Sequence, residues 1–134
     1  MFKTEKLLVE TTVPKLIDIF NVQENNIFFE VSGLFGIPDV VLNNGSIIAI
    51  EFKLSNWKGA LIQAFRYKSF ADQAYVFLDD DYIHRALNHI EMFESYDIGL
   101  SSVNIDGEVI NFYTPNNNTV YTHSIREKAL SMLS

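Results

Sequence analysis

The hydrophobic pattern of this chain changes period several times, and each change marks a new element. In residues 3–20 the apolar positions Leu8, Leu16 and Phe20 recur near the helical period, which predicts a helix. Pro14 falls inside it, so either Thr12 caps a second short helix with Pro14 in its first turn, or the helix kinks there. Residues 21–26 are polar and predict a loop. Residues 27–32, Ile-Phe-Phe-Glu-Val-Ser, are almost continuously apolar, which predicts a strand covered on both faces. Gly33-Leu34-Phe35-Gly36 follows as a link with two glycines available for positive φ. Residues 37–42 and 46–53 flank Asn43-Asn44-Gly45 and predict a β-hairpin.

Beyond the hairpin the period returns to helical. Asn56 is placed to cap a helix over 57–71, whose stripe of Trp57, Ala60, Leu61, Ala64 and Ala71 predicts the face packed on a sheet. Lys68 falls inside that stripe and is expected to snorkel its ammonium outward. Residues 74–78 form a short apolar strand, and Asp79-Asp80-Asp81 reads as the acidic start of a helix over 82–94 rather than as a metal loop. Strands at 98–103 and 109–113 flank an Asp106-Gly107 turn; a loop at 114–118 and a helix at 124–134 complete the chain. His84 and His89 are five apart and do not share a helix face, so a structural or solvated role is expected for both. With no repeat or linker, residues 1–134 read as one α/β domain: a mixed sheet flanked by helices, with residues 57–71 crossing over to a strand parallel to the hairpin's second strand.

Ionisable residues inside the predicted hairpin change this picture, because an unpaired charge in a buried strand is costly to desolvate. Glu51 and Lys53 alternate onto the face that carries Ile47 and Ala49. With residues 43–45 as the loop, Leu42 pairs with Ser46 and Asp39 lies opposite Ala49, on the same face and diagonal to Glu51. Two carboxylates and an amine on one patch suit metal-assisted phosphodiester cleavage: hard oxygen donors for Mg²⁺ or Mn²⁺, and an ammonium to hold water or steady the transition state. A pair of buried charges that merely satisfy each other is the alternative. Glu30 is a further strand carboxylate, either a third acid at the site or a solvated edge residue. Gln63 and Tyr67 are helix neighbours at the margin of the apolar stripe, which on spacing alone reads as a polar flank.

Composition narrows the chemistry. The 134 residues contain no cysteine and three scattered histidines, so a metal would be held by oxygen. No apolar run reaches membrane-spanning length and the start of the chain has no signal-like core, so a soluble cytoplasmic protein is expected. The net charge of −7 is unusual for a protein that binds nucleic acid. The cations Lys53, Lys58, Arg66 and Lys68 nevertheless follow the candidate site without an intervening acid.

The order α-β-β-β-α-β, Pro38-Asp39, and Glu51-Phe52-Lys53 beginning twelve residues after Asp39 resemble the PD-(D/E)XK nuclease superfamily, with its restriction-endonuclease-like fold. Gln63-Ala64-Phe65-Arg66-Tyr67 resembles the QxxxY element of that superfamily's RecB-like branch. The likeness covers roughly residues 1–78 and leaves an αββα extension over roughly 79–134. It implies a metal-dependent nuclease acting on DNA, in which Asp39 and Glu51 hold Mg²⁺ or Mn²⁺ and Lys53 positions or activates water. Gln63 and Tyr67 would orient the site and contact the nucleic acid, and an acid on the first helix, Glu10 or Glu5, would join them. The superfamily also includes inactive members, so the alternative is a nuclease-fold domain that binds a protein or a nucleic acid. A homodimer fits cutting of both strands of a duplex.

Overall fold

Six strands pair in the order in which the chain makes them. They are β1 (Ile27–Phe29), β2 (Val40–Asn43), β3 (Ile47–Lys53), β4 (Gln73–Asp79), β5 (Gly99–Val103) and β6 (Val109–Tyr113). Helices α1 (Glu5–Phe20), α2 (Trp57–Tyr67), α3 (Ile83–Leu87), α4 (Ile90–Tyr96) and α5 (His123–Met132) flank the sheet. The computed structural model describes residues 1–116 and 122–133. Asn117 and Asn118 of the predicted loop and Ser134 of the predicted last helix lie outside the described residues.

The sheet is mixed, as its hydrophobic pattern predicts. β1, β2 and β3 form an antiparallel meander, β3–β4 and β4–β5 are parallel, and β6 returns antiparallel to β5. Alternation along the strands divides the core in two. Val41, Ala49, Val76 and Leu100 pack under α2 and its neighbours, while Val40, Ile50, Phe52 and Phe77 pack against Leu8 and Leu16 of α1. Central β3 is buried from Ile47 to Phe52, and residues after Asp79 extend the same sheet.

Several elements differ from expectation for physical reasons. The first strand stops at Phe29, because Glu30 adopts a left-handed φ of +46° while its N–H still bonds the Asp39 carbonyl at 3.1 Å. As an edge strand it is covered incompletely, and Phe29 is exposed. The hairpin register is Val40↔Ile50 through Asn43↔Ile47, two residues away from the predicted pairing. An even slip leaves every side chain on its predicted face. The first helix is continuous through Pro14, and the Thr12 hydroxyl donates to the Leu8 carbonyl at 2.7 Å instead of starting a second helix. Thr4 is the cap.

The helix expected over 82–94 breaks at Asn88 and His89 into α3 and α4, behind a 3₁₀ turn over Asp80–Tyr82. The Asp79 carboxylate caps that turn by accepting from Asp81 N–H at 3.0 Å, and it also accepts from Phe2 N–H at 2.7 Å. α2 ends at Tyr67, and Lys68 does not snorkel. It is 1% exposed, with its ammonium 3.6 Å from Asp97 Oδ2. Asp97 also accepts from Tyr113 O–H and Asn116 N–H, both at 2.8 Å, so one carboxylate joins the ends of α2, α4 and β6.

Asp97→Asn keeps an acceptor and suits the left-handed backbone at that position, φ +56°, but removes the charge opposing Lys68. Removing the charge beside a buried ammonium in this way is expected to cost about 3 kcal/mol, read as a lower urea midpoint with an unchanged slope. Stability equal to wild type would show that Lys68 is balanced by other groups.

Candidate functional site

The site grows from the end of β3. Ile47 and Ala49 point toward α2, so alternation brings Glu51 to that face and Lys53 to its margin. Asp39 precedes Val40, whose partner is Ile50, and therefore falls at the level of Glu51. The predicted diagonal arrangement becomes a direct one. Asp39 Oδ2 accepts from Phe52 N–H at 2.8 Å, so a side-chain carboxylate supplies the bond that a backbone carbonyl supplies elsewhere in the ladder.

Glu51 is 6% exposed, and its Oε1 accepts from the Tyr67 hydroxyl at 2.6 Å. That hydroxyl also lies 3.2 Å from the Ile37 carbonyl. Tyr67 is itself buried, so it orients Glu51 and offers no surface to a substrate, unlike the nucleic-acid contact expected of it. Gln63, one turn earlier on α2, is half-buried beside Gly36. Gly36 takes φ +86°, and a Cβ there would lie 2.9 Å from Tyr67 Cε1. The link before the hairpin therefore lies against the tyrosine ring. The sequence signal for this was a glycine in a short connector; its contact with Tyr67 was not legible.

Lys53 is partly exposed, and its ammonium lies 3.9 Å from Glu5 Oε1 at the start of α1. Of the two helix acids proposed, Glu5 is the one that reaches the site. Glu10 stands further along α1 and, with Glu30, Val9, Phe29 and Asp39, lines a cleft of about 760 Å³ between α1 and the β1 edge. Glu30 is exposed on that cleft rather than joined to Glu51. Trp57, predicted to pack on the sheet, is partly buried against the core on that side, and it also stacks on His89 with ring centroids 4.8 Å apart and meets Phe93.

Burial dominates the electrostatics. It raises the Asp39 carboxyl above its ordinary range, against the pull of Phe52 N–H and Lys53. Glu51 is pushed up to about 7, chiefly by burial and further by the Asp39 charge, while the Tyr67 hydrogen bond and Lys53 pull it down. The Tyr67 phenol is raised by burial and by Glu51, so it remains a donor. Two desolvated carboxylates at one strand level are a hard-oxygen donor set of the kind Mg²⁺ or Mn²⁺ prefers, and a divalent cation would offset their mutual repulsion. Among the described residues no three acidic, histidine or cysteine side chains cluster as a metal cage. Asp39 and Glu51 would thus leave most of a bound ion's coordination to water and substrate.

Two expectations follow. A carboxyl whose folded pKa is raised favours the folded state fully below its unfolded value near 4.5, and this contribution is lost as pH rises through about 7. Glu51→Gln should therefore stabilise the protein by about 2 kcal/mol at pH 8, allowing for solvent screening at the cleft, and by little at pH 4.5. Thermal melts of both proteins across that range measure it, and a pH-independent difference would contradict the burial account. Gly36→Ala should cost at least about 1 kcal/mol in denaturant, from its positive φ and the displaced Tyr67 ring.

No family model and no curated protein matches the sequence. Among solved structures, the chain is similar to the SPO1766 protein of unknown function from Silicibacter pomeroyi, with a TM-score of 0.62 and 15% identity. The match covers 93% of this chain and 80% of that one. At this identity the likeness concerns the fold: a six-stranded mixed sheet with helices on its faces.

Proposed function

We propose that this protein is a metal-dependent nuclease with a restriction-endonuclease-like core, hydrolysing phosphodiester bonds of DNA in the cytoplasm. The observation that carries the reading is the meeting of Asp39 and Glu51 at one level of the β2–β3 pair, with Lys53 on the next residue of the same face. Asp39 and Glu51 would hold Mg²⁺ or Mn²⁺, which when bound supplies an acidified water and screens phosphate charge. Tyr67 holds Glu51 in one orientation through its 2.6 Å hydrogen bond. Lys53, partly open to solvent, is placed to hold the attacking water or to steady charge on the phosphoryl oxygens. Of Gln63 and Tyr67, Gln63 is the one open enough to meet substrate.

A second reading is favoured by one feature. Glu5, Glu10 and Glu30 rim the cleft beside Asp39, and the chain carries a net charge of −7, which opposes the approach of a polyanion. On that reading the domain keeps the nuclease fold without its chemistry and binds a protein.

Incubation with Mg²⁺ or Mn²⁺ and a short DNA duplex or single strand distinguishes the two. Asp39→Asn, which retains an acceptor for Phe52 N–H, and Lys53→Ala are each expected to lower cleavage by about 100-fold or more while shifting the thermal midpoint by no more than about 2–3 °C. Undiminished cleavage by either variant removes that residue from the mechanism. An absence of cleavage, together with no heat of divalent-ion binding by calorimetry, supports the second reading. Greater stability of Glu51→Leu would support it further.

A further inference from the structure

The link that joins β1 to the hairpin is held down at intervals and open between them. Val31 and Leu34 pack, partly buried, against the core on the α2 side. Gly36 lies against the Tyr67 ring, whose hydroxyl is 3.2 Å from the Ile37 carbonyl. Positive φ at Gly33 and Gly36, +90° and +86°, turns the chain tightly enough for Leu34 and Gly36 to bridge each other. The side chains left between these anchors are large and apolar: Phe35 is 51% exposed and Ile37 59%. Scattered exposed apolar residues need no explanation, but two on one short anchored turn make a patch that marks an interaction site.

The surroundings of the turn say what it would meet. Phe35 is four residues before Asp39, so the two Cα atoms lie within about 14 Å of each other. At the other end of the turn is Lys128, exposed on α5, whose Nζ is 3.7 Å from where a Cβ of Gly33 would stand. Lys128 forms no ion pair among the described residues. The acids Glu5, Glu10 and Glu30 line the cleft between α1 and the β1 edge, to which no residue of 33–37 contributes. An exposed ring between a cation and a candidate phosphodiester site suits a single strand. A base stacks on the ring, because every base has a π-face, and a neighbouring phosphate meets the cation. The bases of an intact duplex stack on one another and offer the ring no face.

We propose that Phe35 stacks on an unpaired base of the nucleic acid, with Ile37 beside it and Lys128 on a neighbouring phosphate. The substrate is then a single strand, or a duplex with unpaired bases next to the cleaved link. The inference rests on the nuclease reading and names the substrate class of that site. A protein is the poorer occupant, because two side chains are a small part of the roughly 800 Å² that a stable interface covers on each partner.

Fluorescence anisotropy of the full chain with a labelled oligothymidylate, and with a duplex of the same length, is the test. A chelator is present, so that no metal-dependent cleavage intervenes. Wild type is expected to bind the single strand more tightly than the duplex. Phe35→Ala should weaken single-strand binding about tenfold or more without moving the thermal midpoint. Phe35→Trp should retain it, and Phe35→Leu, apolar but without a π-face, should not. Lys128→Ala should reduce the slope of log affinity against log salt by about 0.7. Phe112→Ala removes an exposed ring from β6, at the opposite edge of the sheet, and should change nothing. The proposal is overturned if the oligothymidylate does not bind, if the duplex binds as tightly, or if Phe35→Ala binds as wild type does. Equal losses with Phe35→Ala and Phe112→Ala also overturn it. Cleavage in Mg²⁺ is assayed separately. Binding that depends on Phe35 without any cleavage defeats the nuclease reading and leaves the stacking contact standing, whereas cleavage with binding indifferent to Phe35 defeats the stacking contact alone.

Discussion

The hydroxyl of Tyr67 points into a carboxylate that has almost no other access to water, and the arrangement around the site depends on that bond. Glu51 can be buried in the central strand only because something donates to it, since an unpartnered charge there would be expelled or neutralised. The bond ties α2 to β3 at the end of the sheet where Asp39 and Lys53 emerge. It also sets the position of the 33–36 link, because the ring leaves Gly36 no room for a side chain. The carboxylate remains under tension even so, with its pKa drawn toward neutrality by burial and by Asp39. A group in that condition gains most from a cation, so the geometry and the electrostatics both support the proposed metal site.

Much of the fold was legible because it rests on period alone. The alternation in Ile47–Lys53 sent Glu51 and Lys53 to one face, and parity protected that conclusion even when the hairpin register moved by two residues. The stripe on α2 and the short apolar run of β4 fixed the crossover between parallel strands. What failed were features decided by distant partners. Lys68 looked like a blemish on a helix face, because nothing near it in sequence announces Asp97, 29 residues later, as its counter-ion. The break at Asn88 and His89 lay inside a stripe that looked continuous. The strand over 27–32 looked doubly covered because apolarity does not reveal that β1 forms an edge.

Within the candidate site the division is similar. Asp39, Glu51 and Lys53 could be read together because strand geometry converts sequence spacing into position. For Tyr67 the resemblance implied both an orienting role and a contact with nucleic acid; that its hydroxyl is buried against Glu51 was not legible, since burial depends on the whole fold. Glu5 and Glu10 could not be separated, because which turn of α1 reaches Lys53 depends on how the helix lies across the sheet. The cleft between α1 and the β1 edge was likewise invisible, as it is a gap between elements and not a property of any one of them.

The bond from Phe52 N–H to Asp39 gives the two ends of the constellation unequal histories. Asp39 is held in place by folding, whatever its chemistry: replacing it with an apolar residue orphans a backbone donor in the central strand. Lys53 makes a long, partly solvent-exposed ion pair with Glu5 and acts on Asp39 and Glu51 through its charge, without a backbone group that depends on it among the described contacts. In a lineage that abandoned catalysis, selection for stability alone would still retain an acceptor at position 39, whereas position 53 would be free to drift. Were the proposed nuclease reading compared across related chains, the lysine would therefore be the more informative of the two.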